Sequence, residues 1–246
     1  MATVSSLTLP PVSWLSWPDN ARDSTTDNTI SVFRCAVNSP LATPPPQWLT
    51  PTEWQRANRF HQPADRTRFV LGRSMVRRLT AHFSGQLPEQ TAIRLTPTGK
   101  PEWVNDDGWH INLAHSGNWV LMALATTPVG IDVEQIRPNF DFQALLGSTL
   151  DKNEHLFIKN HAKPRQAFYD LWTRKEALLK ATGRGVNDHL SQLPVLTGIH
   201  TIANETIGST GHWTVATVDV DEQHTAAVAW AGPLPTALSP VTCYTI

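Results

Sequence analysis

Two carboxylates stand two positions apart in the run G-I-D-V-E at residues 130–134. Because side chains alternate between the two faces of a strand, this spacing predicts that Asp132 and Glu134 point to the same side. Crowded carboxylates repel each other unless a cation or a proton lies between them, and hard oxygen ligands of this kind suit magnesium. The pattern therefore indicates a candidate metal site, although a solvent-facing acidic edge produces the same spacing.

A second candidate feature is the charged margin of a predicted helix. Residues 165–182 show apolar positions at 3.6-residue spacing, and Gly183 follows as a stop signal. Glu176 and Lys180 lie one turn apart along the margin, a spacing that also fits an ordinary helix-stabilising ion pair. Lys175 falls within the apolar stripe, where its ammonium must either extend past its neighbours or meet an anion.

Two loops and one more helix carry cations that suit a phosphate. Lys100 lies in the turn T-G-K-P at 98–101, and His115 lies in N-L-A-H-S-G at 112–117. A helix is predicted over residues 65–83, with three arginines beside its apolar stripe: Arg66, Arg73 and Arg77. Cations on one helix edge form either a solvated face or a phosphate clamp, so none of these features is specific alone.

The elements that must position these residues predict an α+β fold. A tight turn at Gly117 and Asn118 is predicted to join two strands, and a helical stretch at 140–161 and a break at Pro164 precede the helix with Glu176. The remaining expected strands are short and apolar or alternating: 111–113, 119–125, 129–133, 212–220 and 226–231. A break at residues 126–128 predicts two subdomains, 1–125 and 126–246.

Composition excludes several classes of function. The 246 residues carry a formal net charge of −1, which provides no general field for nucleic acid or an anionic membrane. The longest apolar run, residues 119–125, is far too short to span a bilayer. Two distant cysteines favour a reducing compartment. We therefore predict a soluble cytoplasmic protein with no nucleic-acid or membrane partner.

The ordered motifs resemble those of the surfactin-type 4′-phosphopantetheinyl transferases. They are G-K-P at 99–101, I-N-L-A-H-S-G at 111–117, V-G-I-D-V-E at 129–134 and W-T-R-K-E-A-L-L-K-A-T-G-R-G at 172–185. The last reproduces the pattern W-x-x-K-E-A-x-x-K-x-x-G without a gap. The resemblance covers residues 66–185 well and the two ends poorly.

This resemblance implies a fold, a reaction and a set of ligands. The fold is a pseudo-twofold arrangement of two similar α+β subdomains, with coenzyme A held in the cleft between them. The reaction moves phosphopantetheine to a serine of an apo acyl or peptidyl carrier protein and releases 3′,5′-adenosine bisphosphate. Asp132, Glu134 and Glu176 resemble the Mg²⁺ ligands, and Lys180 with Lys175 resembles the lysines that hold the pyrophosphate. Glu176 is the expected base, and Glu134 is an alternative.

The resemblance also assigns the nucleotide contacts. His115 resembles the histidine beside the 3′-phosphate, and the turn Gly99-Lys100-Pro101 resembles the one that lies against the adenine and the 3′-phosphate. Arg73 is the preferred phosphate contact among the helix arginines. Relatives often carry serine where this chain has Ala114, so one hydroxyl contact is missing. Since two subdomains complete one cleft, a monomer is expected.

Two other functions compete with the transferase hypothesis. A magnesium-dependent phosphohydrolase acting on a nucleotide-type pyrophosphate would use the same carboxylates. An inactive module that binds coenzyme A and docks a carrier would keep the fold without the chemistry. Residues 137–165, which combine apolar and basic side chains, are a candidate docking surface for an acidic carrier, although core packing explains the same pattern.

Overall fold

The computed structural model describes residues 1–17, 29–96, 99–104, 108–185, 190–233 and 241–246. The helices are α1 (Pro51–Ala57), α2 (Pro63–Ser84), α3 (Leu146–Thr149), α4 (Lys152–Asn160), α5 (Pro164–Thr182) and α6 (Asn204–Ile207). The strands are β1 (Ala2–Thr8), β2 (Trp14–Ser16), β3 (Ile30–Ala36), β4 (Ile93–Leu95), β5 (Pro101–Trp103), β6 (His110–Ser116), β7 (Trp119–Ala125), β8 (Val129–Gln135), β9 (Gly198–Ile202), β10 (Gly211–Asp221), β11 (His224–Ala231) and β12 (Val241–Thr245). The fold class is α+β, as predicted.

The first compact unit comprises Met1–Ser13 and Thr127–Pro240, as far as these residues are described. Its sheet has the order β8-β11-β10-β1-β9, and α5 packs against β8, β10 and β11. Helix α5 begins at a proline, whose missing N–H needs no partner there, and ends at Gly183 with φ 74°. Phe168, Leu171 and Leu178 on its inner face join strand residues in one apolar core.

The second compact unit comprises Trp14–Thr126 and Val241–Ile246. Its sheet has the order β2-β12-β3-β7-β6, and α2 packs against β7. The turn between β6 and β7 has two residues, since Ser116 pairs with Trp119, and Gly117 supplies a φ of 54°. Each unit thus combines a five-stranded sheet with one long helix.

The two ends of the chain do not belong to the units that the expected subdomains 1–125 and 126–246 would give them. Strand β1 pairs with β10 and β9, so the first residues belong to the unit formed by the later half of the chain. Strand β12 pairs with β3 and β2, so the last residues belong to the other unit. The two compact units also meet along the chain between Thr126 and Thr127.

Most predicted elements are observed, and one is not. The helices predicted at 65–83 and 165–182 are α2 and α5, and the five predicted strands lie within β6, β7, β8, β10 and β11. The stretch 140–161 is instead a short 3-10 turn followed by α3 and α4. Asp151 explains the break, because its carboxylate caps the start of α4 in a capping box with Glu154. None of the described helices is long and apolar enough to cross a membrane.

Candidate active site

The candidate site of the first unit is built where α5 lies unusually close to β8. A Cβ added to Gly130 would meet backbone atoms of Ala177 and Ala181, including the Cα of Ala181 at 2.9 Å. Real Cβ atoms are not found that near other heavy atoms, so only glycine permits this approach. The approach brings the helix positions 176 and 180 alongside the strand carboxylates.

Asp132 is the strand carboxylate that the helix meets directly. Its Oδ1 accepts a hydrogen bond of 2.6 Å from Lys180 Nζ. Its Oδ2 is buried and has no hydrogen-bond partner among the described residues. Burial raises the pKa of Asp132, and the charge and hydrogen bond of Lys180 act in the opposite direction. A buried, half-satisfied carboxylate of this kind is poised to accept a further cation or proton.

Glu176 completes a cluster of three acids around one lysine. The pKa of Glu176 is raised to about 7, first by burial, then by the negative charge of Asp132, with a smaller contribution from Glu134. Lys180 partly offsets this rise. Glu176 is therefore close enough to both strand carboxylates to be repelled by their negative charges.

The acids do not yet form a coordination shell. Within the described part of the chain, no group of three or more His, Cys, Asp or Glu side chains is arranged to hold a metal ion. Lys180 instead occupies one oxygen of Asp132 as an internal counter-ion, and its side chain remains 30% exposed. The structure thus places the predicted ligands together without showing a metal site.

Lys175 takes a different position from Lys180, although both belong to the same motif. Its Nζ donates to Glu154 Oε2 at 2.7 Å and to the backbone oxygens of Leu190 and Leu193 at 2.9 and 2.6 Å. These three acceptors match the three donors of an ammonium group. The side chain is 1% exposed. Lys175, which was predicted to bind the pyrophosphate, therefore uses all three of its N–H donors in hydrogen bonds within the core.

A small cavity of about 290 Å³ opens beside the acids. Glu134 lies at this cavity, and Arg137 joins it among the lining residues. The other walls are largely aromatic and apolar, and they include Phe140, Leu145, Phe168, Tyr169 and Trp172.

The predicted docking stretch 137–165 is not uniformly exposed, since Phe142 is buried in the core and Phe140 is 38% exposed. The stretch is thus partly core and partly surface.

In the second unit, Arg73 lines a cavity of about 600 Å³ that we call the Arg73 pocket. Four arginines border it, Arg56, Arg59, Arg73 and Arg77, together with one acid, Glu53, and apolar side chains that include Phe60, Phe69, Ile93 and Leu95. Arg73 Nη1 is buried without a hydrogen-bond partner among the described residues. Burial lowers the pKa of Arg73, and Glu53 opposes that effect. An excess of guanidinium beside apolar walls suits an anion attached to a flat or apolar group.

The other helix arginines serve local contacts. Arg66 lies 3.5 Å from the side-chain oxygen of Asn58. Arg68 donates to the backbone oxygen of Gly117 at 3.0 Å and pairs with Asp65. Among the predicted arginines, both Arg73 and Arg77 line the cavity and keep a buried N–H without a partner among the described residues, Nη1 in Arg73 and Nε in Arg77.

The remaining predicted nucleotide contacts lie near β6. Lys100 is close enough to His110 for its charge to help burial lower the pKa of that histidine. His115 is exposed and lies toward the other end of the strand, next to the turn at Gly117. Gly99 has a φ of 82°, which favours glycine in this turn before Pro101. Ala114, the departure from the motif, is buried.

Both units match known families along most of the chain. Residues 46–127 match the family described as 4′-phosphopantetheinyl transferase, N-terminal, and residues 128–229 match the 4′-phosphopantetheinyl transferase superfamily. HetI of Nostoc sp., a 4′-phosphopantetheinyl transferase, is 32% identical over 191 residues, which are 75% of this chain and 79% of HetI. The chain belongs to the 4′-phosphopantetheinyl transferase superfamily. Sfp of Bacillus subtilis, another 4′-phosphopantetheinyl transferase, is 28% identical over 190 residues, which are 76% of this chain and 84% of Sfp.

Sequence reasoning missed three residues that shape the sites of this phosphopantetheinyl transferase family member. Gly130 had a recognisable signal, because an isolated glycine in a strand often marks close backbone approach. Glu154 had one too, since Asp151 and Glu154 have the spacing of a capping box. Glu53 had no signal as a partner of Arg73 and Arg77, because 20 and 24 residues separate them along the chain.

Proposed function

We propose that this protein transfers the 4′-phosphopantetheine group of coenzyme A to a serine of an apo carrier protein and releases 3′,5′-adenosine bisphosphate. The observation that supports this most is the convergence of Asp132, Glu134 and Glu176 with Lys180 in a member of this transferase superfamily. The relatives give no support to a phosphohydrolase or an inactive module.

The donor set fits a magnesium ion, which we propose as the cofactor. Asp132 Oδ2 is a buried oxygen without a partner among the described residues, and the pKa of Glu176 is raised because this carboxyl is buried and two acids face it. A divalent cation held by Asp132, Glu134 and Glu176 would relieve that repulsion, and carboxylate oxygens are the ligands that magnesium prefers. Such an ion supplies Lewis-acid neutralisation of a diphosphate.

Lys180 is proposed to hold the pyrophosphate and to offset charge on the leaving nucleotide. Its ammonium already lies at the acids, and its partly exposed side chain can turn from Asp132 toward an incoming phosphate. Positioning and charge neutralisation are the main contributions that a protein makes to phosphoryl transfer. We assign Lys175, with its three core acceptors, to the packing of α5.

Glu176 is the proposed acceptor of the serine proton. Without a bound cation the pKa of Glu176 is about 7, which suits a general base at neutral pH. A magnesium ion held by Glu176 would lower this pKa and make the carboxylate a weaker base. Glu134 lies at the neighbouring cavity and is the alternative acceptor through a water molecule.

Nucleotide recognition is proposed for the second unit. Arg73 offers a buried, unsatisfied donor to the 3′-phosphate, and the apolar walls of the Arg73 pocket suit the attached adenosine. His115 is a proposed phosphate contact, and Gly99, Lys100 and Pro101 are proposed contacts of the adenine side.

Mass spectrometry of a panel of apo acyl and peptidyl carriers tests the reaction. The carriers are incubated with coenzyme A, with magnesium or with a chelator, and with wild type, Asp132→Asn or Glu205→Gln. Glu205 is a control because it is an exposed acid of the same unit and lies outside the candidate docking stretch 137–165. We expect one phosphopantetheine per carrier with wild type and Glu205→Gln, and none with Asp132→Asn or the chelator. Consumption of coenzyme A without any carrier, and no modified carrier, would instead identify a hydrolase.

A further inference from the structure

Glu53 is the one acid that lines the Arg73 pocket among its described residues. Its two carboxylate oxygens are used very differently. Oε2 accepts hydrogen bonds from Thr50 N at 2.9 Å, from Thr50 Oγ1 at 3.2 Å and from Arg77 Nη2 at 2.8 Å. Oε1 lies 3.5 Å from Arg73 Nε, beyond the usual length of a hydrogen bond. One oxygen is therefore fixed by the start of α1, and the other faces Arg73 loosely.

This asymmetry separates the roles of the two buried arginines. Arg77 is anchored at two points, since it also donates to the backbone oxygen of Thr91 at 2.9 Å. Among the described residues, Arg73 has the long contact with Glu53, a place over the ring of Phe69 at 5.3 Å and a buried Nη1 without a partner. Arg77 Nε is buried without a partner as well, but Arg77 Nη1 and Nη2 are both hydrogen-bonded. Arg73, whose guanidinium has no short hydrogen bond to hold it, is thus the one that a ligand can recruit, and Arg77 is part of the frame.

Glu53 carries a negative charge into this pocket at neutral pH. Burial alone would raise its pKa, but hydrogen bonds from Arg77 and Thr50 and the charges of both arginines leave the pKa below its usual value. An anion that approaches Arg73 is therefore attracted by the arginines and repelled by Glu53.

We propose that Glu53 is a built-in counter-anion that holds Arg77 in the frame and competes with a ligand's phosphate for Arg73. The inference rests on the proposed function, in which that phosphate is the 3′-phosphate of coenzyme A. Glu53 then limits the affinity of the pocket for 3′-phosphorylated nucleotides, including the released 3′,5′-adenosine bisphosphate. It is a positioning residue, because it acts through Arg73 and Arg77.

Calorimetric titration of the full chain with 3′,5′-adenosine bisphosphate and with 5′-adenosine monophosphate tests this competition. Glu53→Gln removes the charge and keeps an oxygen that can accept from Thr50. We expect it to tighten bisphosphate binding roughly three- to tenfold, as removal of one nearby like charge predicts. Binding of the monophosphate should change less than twofold. Glu89→Gln, an exposed acid of the same unit, is the matched control and should change neither.

The outcomes separate this inference from the proposed function beneath it. A wild type that does not prefer the bisphosphate, or an Arg73→Ala variant that keeps the preference, overturns the nucleotide assignment and this inference with it. A normal preference with unchanged or weaker binding by folded Glu53→Gln overturns the competition alone. Glu53→Asp keeps the charge but retracts it from Arg73, so it should tighten binding less than Glu53→Gln. If neither variant folds, Glu53 is structural and the inference fails.

Discussion

Gly130→Ala tests whether the close approach of α5 to β8 creates the site. The new Cβ would lie 2.9 Å from Ala181 Cα and still nearer to backbone atoms of Ala177 and Ala181. Ordinary contact begins at 3.4 Å, so the helix would have to move outward by on the order of 1 Å. Because the obstacles are backbone atoms, rotation of a side chain cannot relieve the clash. Overpacking of this kind costs about 1–3 kcal/mol, and occasionally more.

The same movement would affect chemistry more than stability. The 2.6 Å contact between Lys180 and Asp132 would lengthen beyond hydrogen-bond range, and Glu176 would move with the helix. A displacement of about 1 Å at a reacting centre can lower the rate about a hundredfold. We therefore expect a protein that still folds, with a large loss of carrier modification.

Urea unfolding and single-turnover carrier modification measure the two effects of Gly130→Ala together. Gly147→Ala is the matched control, since nothing lies within 4 Å of a Cβ placed there in α3. It leaves the contact between α5 and β8 intact, so carrier modification should fall far less than with Gly130→Ala. It should also stabilise the protein slightly, because alanine favours a helix more than glycine does. If Gly130→Ala had the stability and the turnover of wild type, the close contact between α5 and β8 would not be what positions Glu176 and Lys180.

Four further outcomes follow from the charges and burial of single residues. Glu176→Gln should abolish transfer, and at pH 8 without metal it should raise the unfolding free energy by up to about 3 kcal/mol, because the pKa is raised to about 7 from 4.5 and the ionised form is destabilising. Urea titrations should show this gain above pH 7 and lose it below pH 4.5; equal stability at pH 8 would contradict the cause given. Lys180→Ala should lower kcat more than it raises KM for coenzyme A, and an unchanged kcat would count against its role at the leaving group. Lys175→Met should cost about 3–5 kcal/mol by leaving Glu154 as an unpaired buried charge, and a thermal melt like that of wild type would disprove this. Cys243, whose pKa burial raises to about 12, should react with a disulfide reagent at pH 8 only after unfolding; rapid reaction of the native protein would contradict its burial.

Local periodicity was sufficient to predict the parts of the site that lie within one element. The spacing of Asp132 and Glu134 in a strand and of Glu176 and Lys180 in a helix needs only the repeat of each element. The hairpin turn at Gly117 was also predictable from local sequence, because a glycine and an asparagine suit a two-residue reversal.

Contacts between distant segments were beyond the reach of such patterns. Pairing of β1 with β10 joins residues more than 200 positions apart, and nothing in either strand names its partner. The Arg73 pocket likewise depends on α1 lying beside α2, which brings Glu53 to Arg73 and Arg77. Helix spacing alone therefore could not decide whether the arginines form a solvated face or a phosphate clamp.

The two lysines of α5 show why a motif needs a structure before its residues receive roles. Lys175 and Lys180 are five residues apart, which places them about 140° apart around the helix. One therefore turns to Glu154 in the core, and the other turns to Asp132 at the acids. The buried pair lies on a different side of α5 from Lys180, and it adds a polar anchor to the apolar residues that pack this helix. On this reasoning, loss of Lys175 should reduce transfer by disturbing the helix. Loss of Lys180 also leaves the buried Asp132 without its counter-ion, but it should reduce transfer chiefly by slowing the chemical step.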